Sequence, residues 1–335
     1  MSHSKVINVI LSGGVGSRLW PLSRKSRPKQ YLPIFEGQTL FQKTVSRNLG
    51  ISEHILVVGS KDNYHLSRKD LEALGENDFT EIIEACPRNT AAAIAFAAFA
   101  VSPSDVLFVT PSDHLIQSGE AYASKVNRAI ELARDGFIVT FGLKPTRPET
   151  GFGYIESDGE EVISFREKPD QQTAESFIAK GNFFWNSGMF CYQAGVFLEE
   201  LKKSEPEVFD TSKTAFENAE NGFLNEGLSL QIPSISVDYA VMEKTDKIKV
   251  VPSDFQWSDM GSFESIYDYL KETGHKVDTQ GNMVIGTDIH SEFIGLSQTI
   301  LIQTSDAILV LNKEKAQDVK KVYERLEKEK PGLVD

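Results

Sequence analysis

The chain has 335 residues and a formal net charge of −13, with 40% hydrophobic and 25% charged residues. This composition is typical of a globular protein, the length suggests two domains, and the acidity argues against a polyanionic partner such as nucleic acid or a phospholipid surface. The charge is uneven, because residues 1–35 carry +6 without any Asp or Glu, which leaves −19 for residues 36–335. A basic segment in an acidic chain indicates a small anion as ligand.

Cysteine usage and hydropathy exclude further classes. Cys86 and Cys191 are too few for a disulfide framework, and no histidine spacing indicates a zinc site, so we expect a reducing, cytoplasmic location. The N-terminus has a short apolar run without a small-residue cleavage site, and we expect no signal peptide. The longest apolar stretch, residues 91–101, is too short to span a membrane and indicates a buried helix.

Apolar, β-branched runs alternate with helical patterns along much of the chain. Strands are predicted at residues 6–11, 55–58, 81–84, 106–110, 137–141, 161–165 and 183–192, and helices at residues 38–48, 89–101 and 119–134. This alternation predicts an α/β fold with a Rossmann-like, mostly parallel mixed sheet flanked by helices. In such sheets, ligands bind beyond the carboxyl ends of the strands.

The pattern changes near residue 274. Short β segments are predicted at residues 281–287, 291–296, 299–303 and 307–311, and an amphipathic helix within residues 313–330. We therefore expect a first domain over residues 1–273 and a small β-rich domain over residues 274–335 that ends in a helix. The second domain is expected to serve packing or oligomerisation, which favours a homodimer.

A glycine-rich loop follows the first predicted strand. Gly13, Gly14 and Gly16 allow backbone N–H groups to approach a phosphate without a Cβ in the way. The loop matches neither a Walker A motif nor the dinucleotide fingerprint GxGxxG, because Leu19 stands where the last glycine would be. The loop alone therefore leaves a tight structural turn as an alternative.

Cations follow the loop closely. Arg18, Arg24 and Lys29 lie within a segment that Pro21 and Pro28 stiffen, which limits where the cations can point. Fixed Arg and Lys groups beside exposed backbone amides indicate a triphosphate site. A solvated basic loop is the alternative, but it does not account for the absence of acidic residues before residue 36.

Seven motifs in order resemble the sugar-1-phosphate nucleotidyltransferases. They are LSGGVGSRLWPLSRKSRPKQYL (11–32), PRNTAAA (87–93), TPSDH (110–114), FREKPD (165–170), WNSGMF (185–190), SVDYAVME (236–243) and WSDMGSF (257–263). The RLWPLS, PKQ and PRNTAAA segments resemble the branch of the family that uses mannose and GTP. The resemblance implies a nucleotidyltransferase fold with a β-helix-like C-terminal domain. Because the sequence ends at residue 335, we expect a short form without the isomerase half of bifunctional relatives.

The resemblance also implies a reaction, in which mannose-1-phosphate and GTP give GDP-mannose and pyrophosphate. An oxygen of the sugar phosphate attacks the α-phosphorus in line, so positioning and charge neutralisation matter more than a protein nucleophile. Alternatives are a nucleotidyltransferase for another hexose-1-phosphate or nucleotide, and a non-catalytic relative that binds sugar nucleotides and regulates a partner. A nicotinamide-dependent oxidoreductase is disfavoured by the failed GxGxxG.

The resemblance assigns roles to residues by their positions in the motifs. Arg18, Lys29, Asp113 and Asp259 are the expected catalytic residues, with Asp113 and Asp259 holding Mg²⁺ together with phosphate oxygens and water. The nucleotide is expected at Leu11, Ser12, Gly13, Gly14, Gly16, Ser17, Arg88, Asn89, Thr90, Pro111 and Ser112. The sugar phosphate is expected at Gly153, Glu167, Lys168 and Asn186.

Several of these assignments keep an alternative. Arg88 fits a contact to guanine or phosphate as well as a surface salt bridge, and Asp238 fits either a role in the site or a structural hydrogen bond. His114 is expected to cap a turn or contact the nucleoside rather than transfer a proton. Glu167 and Lys168 are consecutive on a predicted strand, so their side chains should point to opposite faces of the sheet unless a bulge intervenes.

Overall fold

The structure is a computed structural model that describes residues 4–117 and 119–335. Residues 1–3 and 118 of the predicted first domain lie outside the described residues. No helix in the described part of the chain is long and apolar enough to cross a membrane. The chain forms two compact units, which are described separately. Unit 1 comprises the residues up to Gly13, Thr44–Ser112 and Ile116–Trp257, and unit 2 comprises Gly14–Lys43, Asp113–Leu115 and Ser258–Asp335.

Unit 1 is built on a nine-stranded mixed sheet, counted over the described residues, with the order β3-β2-β1-β4-β9-β6-β10-β8-β7. Pairing is parallel from β3 to β4 and between β6 and β10, and antiparallel on both sides of β9. The strands are β1 (Val6–Ser12), β2 (His54–Ser60), β3 (Phe79–Glu84), β4 (Val106–Pro111), β6 (Ile138–Leu143), β7 (Tyr154–Asp158), β8 (Glu161–Arg166), β9 (Phe183–Gln193) and β10 (Ile248–Ser253). Two short strands, β5 (Leu115–Ile116) and β11 (Trp257–Ser258), pair with each other in a separate sheet.

Helices cover both faces of the sheet in unit 1, which confirms the predicted α/β fold. Along β4, Leu107 and Val109 belong to one hydrophobic core, and Val106 and Phe108 to a second core on the other face. This alternation is what a strand buried on both sides requires. The helices are α1 (Leu40–Asn48), α2 (Tyr64–Ala73), α3 (Asn89–Phe99), α4 (Glu120–Arg134), α5 (Gln171–Lys180), α6 (Ala194–Ser204), α7 (Pro206–Glu217) and α8 (Glu226–Ser229), with a π-helical turn at Asp238–Met242.

The register of the sheet places the ends of neighbouring strands together. In β1 and β4, Leu11 lies opposite Pro111, and in β1 and β2, Ser12 lies opposite Gly59. Because these strands are parallel, their carboxyl ends share one edge, which is where the glycine-rich loop begins. All predicted strands of this sheet are present with small shifts in their bounds, whereas β7 and β10 were not predicted.

Unit 2 contains a small three-stranded sheet and the C-terminal helix. Strands β12 (Met283–Ile285), β13 (Thr299–Gln303) and β14 (Ile308–Asn312) pack with helices α9 (Phe263–Glu272) and α10 (Val319–Glu329). The predicted strand at residues 291–296 was wrong. Gly295 adopts a left-handed φ of 71°, and Ile294 is 93% exposed, so this apolar segment meets solvent instead of a neighbouring strand.

The segment behind the glycine-rich loop is anchored by the last residues of the same unit. The indole Nε1 of Trp20 donates to the Leu333 carbonyl over 2.7 Å, and the backbone N–H of Lys25 donates to the Val334 carbonyl over 2.8 Å. Val334 is fully buried in the core of unit 2, together with Trp20. The position of this segment therefore depends on residues more than 300 positions away in the sequence.

Candidate active site

The carboxyl ends of β1 and β4 form the first part of the predicted nucleotide site in unit 1. The backbone N–H of Ser112 donates to the Leu11 carbonyl over 3.1 Å, which joins the two strand ends. The Ser112 hydroxyl is buried and has no hydrogen-bond partner among the described residues. Such a group is available to a ligand, because buried hydroxyls are otherwise paired. Ser12 and Pro111 lie at the same edge, and Gly13 follows with open space beside its Cα.

The start of helix α3 forms the second part. The Asn89 side chain accepts a hydrogen bond from the Thr90 N–H over 2.8 Å, and the Thr90 hydroxyl accepts from the Val237 N–H over 2.9 Å. Arg88 donates from Nε to the Ile232 carbonyl over 2.5 Å. Arg88 thus binds a backbone oxygen. It forms no ion pair with a carboxylate of the described residues, so the surface salt bridge considered above is not observed.

Glu84, the last residue of β3, was missed by the sequence analysis. Its Oε1 atom is buried without a hydrogen-bond partner in the described part of the chain, and burial raises the pKa of this carboxyl to about 8. By strand alternation Glu84 shares a face with Ile82, which belongs to the core that contains helix α3. A buried, unpaired acceptor at a strand end is a candidate ligand contact. The only signal in the sequence was an acidic residue that ends an apolar strand.

The predicted sugar-phosphate residues come together elsewhere in unit 1. The Asn186 N–H donates to the Gly153 carbonyl over 2.8 Å. A Cβ at Gly153 would lie 2.5 Å from the Glu167 carboxylate, so glycine is required for this close approach. Gly153, Glu167 and Asn186 therefore form one cluster, as the sequence motifs suggested.

Glu167 and Lys168 do not point to opposite faces, and that prediction was wrong. Strand β8 ends at Arg166, and Lys168 has a left-handed φ of 46°, so strand alternation no longer applies. The Lys168 ammonium instead forms an ion pair with the Glu167 carboxylate. The Lys168 side chain is 59% exposed while that of Glu167 is 5% exposed, which leaves the cation accessible to an anionic ligand.

Asp238 joins this cluster through Asn186. The Asn186 Nδ2 donates to Asp238 Oδ1 over 3.0 Å, and the Asn186 Oδ1 accepts from the Thr140 hydroxyl over 2.9 Å. Burial, followed by the negative charge of Glu167, raises the pKa of the Asp238 carboxyl to about 6. Asp238 therefore lies in the same cluster as the predicted sugar-phosphate residues.

In unit 2, the remainder of the glycine-rich loop turns tightly around Lys29. Gly14 and Gly16 have left-handed φ values of 85° and 74°, and a Cβ at Gly16 would lie 2.5 Å from the Lys29 Cβ. Ser17 and Arg18 follow in a short 3-10 turn, where Arg18 is exposed and forms no ion pair with any described residue. Arg18 is therefore available for an external anion.

Lys29 connects the two predicted metal ligands. Its side chain is 6% exposed, and its Nζ atom lies 2.7 Å from Asp113 Oδ2 and donates to the Asp259 carbonyl over 2.7 Å. Burial works to raise the pKa of the Asp113 carboxyl, but the charges of Lys29 and His114 outweigh it, and the pKa lies below its ordinary value of 3.8. His114 Nε2 is 3.7 Å from Asp113 Oδ1, and this contact to a carboxylate was not predicted.

The donor set around Lys29 fits a hard divalent cation only in part. The Asp113 carboxylate is partly exposed and ionised and offers the oxygen ligands that Mg²⁺ prefers. Asp259 meets Lys29 through its backbone carbonyl, and its carboxylate lies against Gly261. Among the described residues no group of three or more His, Cys, Asp or Glu could hold a metal ion. Asp113 therefore fits Mg²⁺ with ligand oxygens and water completing its coordination, and Asp259 stays a predicted second ligand.

Arg24 is not a free phosphate-binding cation, contrary to the sequence interpretation. Its guanidinium lies 2.7 Å from the Asp306 carboxylate and also donates to the Leu333 and Pro21 carbonyls. Lys25 forms a further ion pair of 2.8 Å with Glu327. Part of the basic segment is thus neutralised by acidic residues near the C-terminus, whose proximity the sequence does not reveal.

The raised pKa of Asp238 predicts how stability depends on pH. The folded-state pKa of about 6 lies above the ordinary value of 3.8, so this carboxyl contributes stability that is full below pH 4 and lost as the pH rises through about 6. Asp238→Asn cannot ionise and should escape this loss, which is worth about 2 kcal/mol between pH 4.5 and pH 7.5.

Thermal melting checks this expectation. The variant should melt above the wild type by several degrees more at pH 7.5 than at pH 4.5. Asp158→Asn, at the exposed end of β7, serves as the matched control. A melting difference between Asp238→Asn and the wild type that is the same at both pH values would contradict the raised pKa.

Comparisons with known proteins agree with this arrangement. The family model described as "Nucleotidyl transferase" matches residues 7–276, and a model described as "MannoseP isomerase/GMP-like beta-helix domain" matches residues 275–326. A solved structure described as mannose-1-phosphate geranyltransferase from Thermus thermophilus has a TM-score of 0.84 and 30% identity, covering 96% of this chain and 99% of that one.

Two curated relatives extend the comparison. The xanthan biosynthesis protein XanB of Xanthomonas campestris pv. campestris is 38% identical over 344 residues, which cover 96% of this chain and 73% of the relative. Mannose-1-phosphate guanylyltransferase of Escherichia coli (strain K12) is 37% identical over 360 residues, which cover 97% of this chain and 74% of the relative. The chain therefore belongs to the nucleotidyl transferase family, with a C-terminal segment of the MannoseP isomerase/GMP-like beta-helix type.

Proposed function

We propose that this protein transfers GMP from GTP to mannose-1-phosphate, giving GDP-mannose and pyrophosphate. The similarity to the guanylyltransferase of Escherichia coli over nearly the whole chain supports the choice of substrates. The observation that carries the proposal is the buried ammonium of Lys29, which pairs with the Asp113 carboxylate and donates to the Asp259 backbone carbonyl. The Lys29 side chain packs against Gly16 of the glycine-rich loop. A reaction between two anions needs such a fixed positive charge.

The chemistry follows from the charges of the substrates. A phosphate oxygen of mannose-1-phosphate forms a bond to the α-phosphorus of GTP, and the bond from that phosphorus to the β-bridging oxygen breaks, so that pyrophosphate leaves with the electron pair. The attacking phosphate is an anion near neutral pH and needs no strong general base. The exposed Arg18 and the buried Lys29 supply positive charge, and the amides of Gly13, Gly14, Gly16 and Ser17 donate hydrogen bonds.

We further propose that Asp113 and Asp259 hold Mg²⁺. When bound, the ion would neutralise charge on the phosphate oxygens of the nucleotide. The ion pair between Lys29 and Asp113 keeps the carboxylate ionised and oriented, which supports this role.

In this proposal the nucleoside lies along the carboxyl edge of the unit 1 sheet. Burial raises the pKa of the Glu84 carboxyl, so we propose that it ionises when the base binds. The carboxylate then accepts hydrogen bonds from the N1–H and the amino group of guanine, the two donors on that edge of the base. Its buried, unpaired Oε1 supports this assignment, because a base would supply the missing partner. The other nucleotide contacts proposed in unit 1 are Leu11, Ser12, Arg88, Asn89, Thr90, Pro111 and Ser112.

The sugar phosphate is proposed to bind at the cluster of Gly153, Glu167 and Asn186. The accessible Lys168 ammonium would pair with the phosphate, and the Glu167 carboxylate would accept from sugar hydroxyls. The absence of a Cβ at Gly153 lets the backbone pack against Glu167 and supports a fixed carboxylate.

Free thiols and exposed apolar side chains bear on location and assembly. We propose a cytoplasmic location because Cys86 and Cys191 are both free thiols, and cell fractionation would test it. We propose a homodimer because Ile308 and Val310 of β14 are 63% and 54% exposed, as apolar contact surfaces often are. A monomer mass in light scattering would contradict the homodimer.

Release of pyrophosphate tests the proposed reaction. Wild-type protein with GTP, mannose-1-phosphate and Mg²⁺ should release pyrophosphate, and chelation of the metal should stop it. Lys29→Ala should lower the melting temperature, because it leaves Asp113 without its ion pair. The kcat per folded protein should nevertheless fall by about 100-fold or more, because the variant loses a charge that acts in the transition state. Lys25→Ala, which removes a cation from a surface ion pair with Glu327, is the matched control and should keep its activity.

Two outcomes would count against this account. No turnover above a boiled control, with any of four nucleotides and several sugar-1-phosphates, would favour a non-catalytic binding protein. Turnover with a different base or sugar would correct the specificity alone. For the variant, an activity loss no larger than the loss of folded protein would assign Lys29 a purely structural role.

A second variant tests how the base is read. Glu84→Gln keeps the shape of the side chain but replaces one acceptor with a donor, so kcat/KM for GTP should fall roughly 10-fold or more, and the preference for GTP over ATP should narrow. Glu81→Gln, on the opposite face of β3, should leave the preference unchanged. An unchanged preference in Glu84→Gln would remove Glu84 from the base site.

A further inference from the structure

The Asn186 amide has little freedom left for a ligand. Its Oδ1 accepts from the Thr140 hydroxyl over 2.9 Å and from the Gly188 N–H over 3.2 Å. Its Nδ2 donates one hydrogen bond to Asp238 Oδ1 over 3.0 Å, and one N–H remains. These contacts define the orientation of the amide, and they mean that Asn186 can donate to a sugar hydroxyl but cannot readily accept from one.

Asp238 supplies the acceptor that Asn186 cannot. One of its oxygens accepts from Asn186, and the carboxylate lies close enough to Glu167 for the two negative charges to interact. Glu167 and Asp238 are two largely buried carboxyls in one cluster, and Lys168 and Ser236 supply donors to them. Each carboxylate has about four acceptor sites, so these donors leave acceptor capacity for a ligand. A ligand with several hydroxyl groups has the complementary chemistry, since each hydroxyl can donate to a carboxylate.

Hydrogen bonds on both sides of Asp238 hold the segment that carries it. Residues 232–243, here called the connecting segment, bind the start of α3 through the Val237 N–H, which donates to the Thr90 hydroxyl over 2.9 Å. At its other end, the Glu243 carboxylate accepts from the Glu167 N–H over 3.3 Å. The connecting segment thus contacts both the proposed nucleotide residues and the proposed sugar residues, and it holds Asp238 in place before any ligand binds.

We propose that Asp238 is a specificity-determining residue of the sugar site, which orients Asn186 with one carboxylate oxygen and accepts a hydrogen bond from one sugar hydroxyl with the other. This inference rests on the proposed function of the Glu167 and Asn186 cluster. It adds to that function a hydroxyl acceptor outside the FREKPD and WNSGMF motifs.

The electrostatics favour this role over a structural one. Ionisation of Asp238 costs stability at neutral pH, because burial and the charge of Glu167 raise its pKa. An asparagine would accept the same hydrogen bond from Asn186 without that cost. A ligand hydroxyl that donates to the carboxylate would explain why this position carries a group that lowers the stability of the free protein. Residues in binding sites often lower stability in this way.

The test compares deoxy analogues of the sugar phosphate. KM and kcat are measured for mannose-1-phosphate and its 2-, 3-, 4- and 6-deoxy forms, with the wild type, Asp238→Asn and the control Asp158→Asn. In the wild type, the deoxy form that lacks the hydroxyl partner of Asp238 should raise KM about 10-fold or more, as should forms that lack a partner of Glu167. In Asp238→Asn, KM for the parent sugar should rise by a similar factor, removal of that same hydroxyl should have no further effect, and KM for GTP should stay within about twofold.

The following results would overturn the inference about Asp238. An unchanged KM for the parent sugar, or a KM that still responds to every hydroxyl as in the wild type, would show that Asp238 accepts from none of them. A joint rise of KM for GTP and sugar with a lower melting temperature would show a structural role. Asp238→Ser, which also lacks the carboxylate, replaces Asp238→Asn if the latter does not fold.

A different result would refute the proposed function itself, namely wild-type protein that does not turn over mannose-1-phosphate with GTP. In that case the deoxy series is prepared from the sugar phosphate that the wild type does use, and the comparison between variants keeps its meaning.

Discussion

The ion pair between the buried Lys29 ammonium and the Asp113 carboxylate is the interaction on which unit 2 depends. Unit 2 is assembled from three segments that are distant in the sequence, and Lys29, Asp113 and Asp259 come from one segment each. A buried ammonium without partners would be costly, so the contacts to Asp113 and to the Asp259 carbonyl hold the three segments at one point. Gly16 is required beside Lys29 because a Cβ there would collide with its side chain. Structure and proposed catalysis thus share one charged group.

Charge has two roles in the basic N-terminal segment. Arg24 and Lys25 pair with Asp306 and Glu327 and anchor the segment within unit 2. Arg18 remains exposed without an ion pair among the described residues, which suits an external phosphate. The net charge of +6 over residues 1–35 therefore overstates the charge that faces a ligand. The paired cations Arg24 and Lys25 help to position the segment that carries the exposed Arg18.

Local patterns predicted the fold better than the site. The buried strands from β1 to β4 were predicted because each is a continuous apolar run, whereas β10 was missed because Lys249 and Pro252 interrupt its pattern. The FREKPD and WNSGMF motifs predicted that Glu167 and Asn186 lie in one cluster, and the structure places both beside Gly153. Composition and periodicity do not encode which distant segments lie side by side in the fold. They therefore could not predict the ion pair of Lys29 with Asp113, the ion pair of Arg24 with Asp306, or the burial of the Glu84 carboxyl without a partner among the described residues. Strand alternation also failed beyond Arg166, where the strand ends.

A double-mutant cycle on Lys29 and Asp113 tests the central claim most directly. The quantity measured is kcat/KM for pyrophosphate release by the wild type, Lys29→Met, Asp113→Asn and the double variant. If the two residues act as one unit, the double variant should lose no more activity than the worse single variant, because either change already disables the pair. Losses that multiply, so that the double variant equals the product of the single variants, would show that the two side chains act independently and would contradict the account.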